Sequence, residues 1–144
     1  MTRYLLDTNI ISNTIKPEPS PNLAKWFQVQ VDDDLFVAAS TIAEIQRGIL
    51  IKPAGRKRDD LESWFLSSQG PLAYFAGHIL PFDESAALIW AQLMAEGRAV
   101  GRQRDPMDML IASVAVANKC VIATDNEADF WGLDIINPLR AETR

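Results

Sequence analysis

Short apolar runs alternate with longer amphipathic stretches along this chain, and most of the junctions between them are acidic. Residues 3–6 read as a short buried strand that stops at the polar triplet Asp7-Thr8-Asn9. A helical stretch begins near Ile10, and Lys16-Pro17-Glu18-Pro19-Ser20-Pro21 breaks it. Asn22 offers an N-cap to a helix carrying Leu23, Trp26 and Phe27. Residues 35–39 predict a second strand, followed at once by Ser40-Thr41 and a helix through Ile42, Ile45, Ile49 and Leu50. That helix ends at Pro53-Ala54-Gly55, and the basic turn Arg56-Lys57-Arg58 precedes another with Leu61, Trp64, Phe65 and Leu66.

Gly70-Pro71 breaks the chain again, and residues 78–82 predict a third strand. Asp83 caps a helix through Ala86, Ala87, Trp90, Ala91 and Met94, and residues 97–101 read as a turn. Asp105-Pro106 places Asp at an N-cap and Pro at the first helical position. The helix it starts, through Leu110, Ile111, Val114 and Ala115, is nearly all apolar and therefore central. Residues 121–124 are a fourth strand, 125–130 a short helix, and Ile135-Ile136 a last strand. Strands alternating with helices imply an α/β domain over residues 1–144, with a central parallel sheet flanked by helices.

Composition narrows the chemistry. With 144 residues, 48% of them apolar and 23% charged, the chain has the makings of an ordinary globular core. A net charge of −5 argues against a broad basic face that grips nucleic acid through phosphates alone, but bound metal would cancel part of it. The single Cys120 lies in an apolar stretch and reads as a buried structural thiol. One histidine, His78, precedes a strand and reads as structural, so a Ser-His-Asp triad is disfavoured. No signal peptide opens the chain and no apolar run is long enough to span a membrane, so a cytoplasmic protein is expected.

The acids fall in four islands: Asp7 in YLLDTN, Glu44 in STIAEIQRG, Asp105 and Asp108 in RDPMDMLIAS, and Asp125 and Asp129 in ATDNEADF. Several have a capping explanation. Thr41 and Glu44 have the form of a capping box, Asp105 and Asp108 suit a helix start, and Asp125 could cap a turn. Asp7 has no evident capping duty. Strand-to-helix junctions of an α/β sheet lie at its carboxyl edge, where ligands collect. Carboxylates converging there repel one another unless protons or a cation bind among them. An all-oxygen site suits a hard divalent ion.

These four islands, in this order and over essentially the whole chain, resemble the motifs of the PIN-domain ribonucleases. The likeness is to the VapC-type toxins of bacterial toxin–antitoxin pairs and their FitB-like branch. LLDTNIIS, STIAEIQRGI, GRQRDPMDMLIASVAVA and ATDNEADF followed by Asn137-Pro138 are similar to the family's successive motifs. The resemblance implies a three-layer PIN-like fold and a metal-dependent endoribonuclease, with Asp7, Glu44 and Asp108 as metal-binding acids. The fourth acid falls on Asp129, with Asp125 as its rival, and Thr8 and Thr124 serve as hydrogen-bond supports. It implies Mg²⁺, with Mn²⁺ as substitute, RNA as substrate, a VapB- or FitA-like cognate antitoxin, and a homodimer. A non-catalytic binding module, a phosphohydrolase of small substrates and a DNA nuclease are the competing readings.

Arg47, Arg56, Lys57, Arg58, Arg98, Arg102 and Arg104 are candidates for gripping phosphates. The arginines of residues 97–104 stand out because that segment leads into Asp108. Trp26, Phe27, Trp64, Phe65 and Trp90 lie at helical spacings and read mostly as core. Some of them are expected to form an apolar groove for a partner helix.

Overall fold

The computed structural model describes residues 2–140, so the ends of the domain expected over 1–144 lie outside the described residues. Five strands, β1 (Tyr4–Leu6), β2 (Leu35–Ala38), β3 (Ile79–Leu80), β4 (Val121–Ala123) and β5 (Ile135–Ile136), form a parallel sheet in the order β3-β2-β1-β4-β5. The helices are α1 (Thr8–Thr14), α2 (Pro21–Gln28), α3 (Ala39–Leu50), α4 (Arg56–Leu66), α5 (Pro71–Tyr74), α6 (Glu84–Ala99) and α7 (Pro106–Ala117).

Side chains alternate faces along a strand, and here both faces are covered, which is why the strands read as unbroken apolar runs. Leu5, Phe36, Ala38 and Ile122 pack with Leu93 of α6 and Met109, Ile111, Ala112 and Val114 of α7. Their strand neighbours Leu6, Leu35, Val37 and Ala123 pack on the other side, with Ile10, Ile11, Leu23, Ile45, Ile49 and Phe65 of α1 to α4. The result is the three-layer arrangement of helices, sheet and helices. From β1 the chain moves outward through β2 to β3, then returns to the opposite side of β1 at β4. That reversal opens a crevice at the carboxyl ends of β1 and β4, where open parallel sheets bind ligands.

All five expected strands are present, the first four each shorter than expected. Several helix starts differ, each for a local reason. Asp7 caps α1, which therefore begins at Thr8 and not near Ile10. Ser20 caps α2 ahead of Pro21, while the amide of Asn22 donates to the Leu139 carbonyl. The α3 helix starts directly off β2 at Ala39 with no side-chain cap. Thr41 is therefore inside the first turn, fully buried, and the expected capping box with Glu44 does not form. Residues 97–99 continue α6 instead of turning. The Asp83 and Asp105 caps are in place, accepting from the backbone N–H groups of Ala86, and of Met107 and Asp108.

Candidate active site

The crevice is built around Asp7. Its backbone N–H donates to the Ala123 carbonyl, which carries the sheet ladder one residue past β1. One carboxylate oxygen accepts from the Thr8 backbone N–H at 2.7 Å. The other accepts from the Thr124 hydroxyl at 2.8 Å and from the Asn9 amide at 3.3 Å. The Thr124 bond crosses from β4 to β1, so it ties the two sides of the topological reversal together. Asp7 is only 4% exposed. Burial pushes its pKa up, and the hydrogen bonds from Thr124 and Thr8 pull part of the way back.

Glu44 arrives from the second turn of α3 and is half-buried. Its carboxyl is pushed up by burial first, then by the charges of Asp7 and Asp105. The Thr8 hydroxyl lies close enough to offset part of that rise, yet it meets no partner at full hydrogen-bond geometry. Asp108 sits in the first turn of α7 and is pushed up to about 7. Burial is the main cause, followed by Asp105, a hydrogen bond with Asp129, and the charges of Asp7 and Asp129.

The fourth island places its two acids differently. Asp129 lies in the 3₁₀ turn Glu127–Phe130, beside Asp108. The Asn126 amide donates to Asp129 at 2.8 Å and to Asp108 at 3.4 Å. Asp125 is turned away: its carboxylate accepts from Asn137 and its backbone N–H donates to Asn9. Asp129 is thus the acid brought to Asp108, and Asp125 belongs to the support around Asn9 and Asn137. Asp105 stays a helix cap whose charge is felt by Glu44 and Asp108.

The support roles of Asn126, three residues past β4, and Asn137, directly after β5, were not legible in the sequence, because an Asn just past a strand is also ordinary turn chemistry. Arg104 corrects an expectation in the other direction. It is 6% exposed and its guanidinium lies over the Trp131 ring, so it faces no phosphate. His78 is structural: its Nδ1 lies 2.9 Å from the Leu35 carbonyl and its ring stacks on Phe36. Cys120 is buried, and burial pushes its thiol up, away from nucleophilic use.

The donor set fits a hard divalent cation. Burial raises three of the carboxyls, neighbouring acids add to the rise at Glu44 and Asp108, and among the described residues no side-chain cation pairs with any of the four acids. The ion pairs among the described residues are Arg58–Glu62 and Arg140–Glu127, both elsewhere. The hydroxyls of Thr8 and Ser40, beside this edge in sequence, are buried without partners among the described residues. As they stand, no three of the acids among the described residues are close enough to close around an ion. Asp7 acts on both Glu44 and Asp108, and Asp129 on Asp108. A hydrated ion suits so open a set, and Mg²⁺ keeps several of its waters.

The role of Thr124 is directly testable. Thr124→Val removes the one buried side-chain donor to Asp7, so the Asp7 carboxyl should hold its proton more tightly. The expected outcome is that Mn²⁺ affinity, measured by calorimetry between pH 6 and 8, falls most at the acid end. A uniform loss across pH would mean that Thr124 acts only through packing.

A three-layer parallel sheet with carboxyl groups gathered at its switch point defines a class of acidic-site α/β proteins. Within that class the chain belongs to the PIN-domain family: residues 4–130 match the family model described as PIN domain. It is 37% identical over 136 residues to VapC ribonuclease Y4jK of Sinorhizobium fredii, covering 93% of this chain and 96% of that one. It is 34% identical over 131 residues to Toxin FitB of Neisseria gonorrhoeae, covering 91% and 93%. The crystal structure of FitAcB from Neisseria gonorrhoeae superposes with a TM-score of 0.89 at 31% identity, over 96% of this chain and 99% of that one.

Proposed function

We propose that this protein is a metal-dependent endoribonuclease acting as the toxin of a type II toxin–antitoxin pair, silenced by a cognate antitoxin. The observation that carries the reading is the mutual coupling of Asp7, Glu44, Asp108 and Asp129, drawn from four elements, with no side-chain cation among them. Its relatives named as a VapC ribonuclease and as a toxin supply the substrate class and the biological role. No helix among the described residues is long and apolar enough to cross a membrane.

Asp7, Glu44, Asp108 and Asp129 would hold Mg²⁺ or Mn²⁺. The ion, when bound, supplies positive charge to the scissile phosphate and lowers the pKa of a water. The chain does the rest. Thr124, Thr8 and Asn9 hold the Asp7 carboxylate in one orientation. Asn126 keeps Asp108 and Asp129 side by side, and the raised Asp108 carboxyl must give up its proton for metal to load. A carboxylate left partly free, Glu44 or Asp129, orients the attacking water and accepts its proton.

The antitoxin has a seat. A cavity of about 250 Å³ between α1, α2, α4 and α5 is lined by Leu6, Ile11, Phe27, Trp64, Pro71 and Phe75. Its wall depends on Gly70, where an added Cβ would lie 2.0 Å from the Trp64 carbonyl. The family resemblance extends to a homodimer working in the cytoplasm.

The test is Mg²⁺- or Mn²⁺-dependent cleavage of a mixed RNA pool by the antitoxin-free protein and its Asp7→Asn and Asp129→Asn variants. Metal-dependent cleavage lost in both folded variants is expected. Metal binding without cleavage would move the substrate elsewhere, and absence of metal binding would return the acids to capping.

A further inference from the structure

Two segments that deliver acids to the site are locked to each other by a buried arginine that the chemistry does not use. Arg104, just ahead of the α7 cap, donates from Nη1 to the Trp131 carbonyl at 2.9 Å. Its guanidinium carbon lies 3.6 Å from the centroid of the Trp131 ring. Arg102 adds a second guanidinium at 4.8 Å from the same ring and donates to the Ala128 carbonyl at 3.4 Å. Ala128 lies in the turn that presents Asp129, and Trp131 directly follows it. Arg104 is four residues ahead of Asp108.

The surrounding backbone is shaped around this contact. A Cβ on Gly97 would meet the Arg102 carbonyl at 2.8 Å and the Arg104 Cγ at 3.0 Å. Gly132, at φ +75, follows Trp131 in a conformation that favours glycine. The arrangement is costly for stability alone. Arg104 is 6% exposed, its Nε is buried without a partner, and its compensating carboxylate charge, Glu96, makes no ion pair with it among the described residues. Burial pushes its pKa down, and an apolar side chain of similar length would fill the same space without that desolvation cost. What a methionine could not do is hold the Trp131 carbonyl and the indole face at once, in one geometry.

We infer that Arg104, clamped on Trp131, is a positioning residue that fixes the α7 N-terminus against the 129 turn and so holds Asp108 and Asp129 side by side for a divalent cation. The inference rests on the acidic site being a metal site. It assigns Arg104 no contact with RNA or metal. Partners one shell away from metal ligands typically change metal affinity by about 10- to 100-fold when removed.

The experiment titrates Mn²⁺ into wild type, Arg104→Met and Trp131→Leu by calorimetry, with amide hydrogen exchange on the metal-free proteins and steady-state RNA cleavage alongside. Expected in both variants are folded proteins, about tenfold weaker Mn²⁺ binding, faster exchange confined to the 105–109 and 126–131 backbone, and an RNA KM near wild type. Arg104→Lys, which keeps the charge but not the fork, should recover less than half of the lost affinity on a logarithmic scale. Unchanged Mn²⁺ affinity in a folded variant overturns the inference while the metal site stands. A raised RNA KM with Mn²⁺ affinity intact overturns it in favour of a substrate contact. Failure of wild type to bind Mn²⁺ overturns the metal site and the inference together. If Arg104→Met does not fold, Trp131→Leu and Arg104→Lys decide the question by the same readouts.

Discussion

Asp108→Asn should make the metal-free protein more heat-stable at pH 8 while lowering cleavage by on the order of 10³-fold. In the folded chain the Asp108 carboxyl is pushed up to about 7 by burial, by Asp105 and by its hydrogen bond with Asp129. In the unfolded chain an Asp titrates near about 4. Between those values the folded state binds a proton that the unfolded state does not. Stability from this group is therefore full below about pH 4 and is lost as pH rises through about 7. At pH 8 the folded protein holds a charge it would shed. An Asn amide removes that charge and can still donate to Asp129. With solvent screening at this half-exposed group discounted, the gain is about 1–2 kcal/mol, or about 3–8 °C in Tm for a chain of this size.

Calorimetric scans in a chelator at pH 5 and pH 8 check this. The Asp108→Asn advantage should be present at pH 8 and small at pH 5. A variant less stable than wild type at pH 8 would show that Asp108 is chiefly a structural first-turn acid, favoured by the helix dipole. The same linkage sets the response to metal. Mn²⁺ should raise Tm more at pH 8 than at pH 5, because at low pH it must first displace the proton held by Asp108.

The sheet and its order of elements were legible because both of its faces are covered, so each strand stood out as an apolar run between polar junctions. Helix starts were less legible. Asp7 and Ala39 open helices directly from strand ends, and nothing local distinguishes an acid that caps from one that also faces a crevice. Asp7 does both. The choice between Asp129 and Asp125 lay beyond the sequence, since it depends on how a 3₁₀ turn rotates two acids four residues apart. Arg104 shows the converse limit. A basic loop beside an acidic island has the same sequence signature whether its arginines reach outward to phosphate or inward to an indole ring.

Filling the apolar cavity should free the nuclease from its antitoxin without touching the acids. Thr14 lines the cavity mouth at the end of α1, is exposed, and spends its hydroxyl on the Ile11 carbonyl one turn back. It stands seven residues beyond Asp7, about 10 Å along the helix axis. Thr14→Trp places a large side chain into a space of about 250 Å³ that an anchoring side chain of the partner would otherwise enter. Losing one such anchor typically costs about 2 kcal/mol or more of binding, roughly a 30-fold weaker complex. The variant should cleave RNA like wild type when alone, and keep cleaving at an antitoxin concentration that silences wild type. Equal silencing of both proteins would place the antitoxin on another face. Because Leu6 forms the cavity floor and Asp7 is the next residue, the same experiment asks whether inhibition acts through the cavity or at the acids. A variant that binds the antitoxin weakly yet is fully silenced once saturated would mean that the cavity supplies affinity while inhibition is exerted at Asp7 and its neighbours.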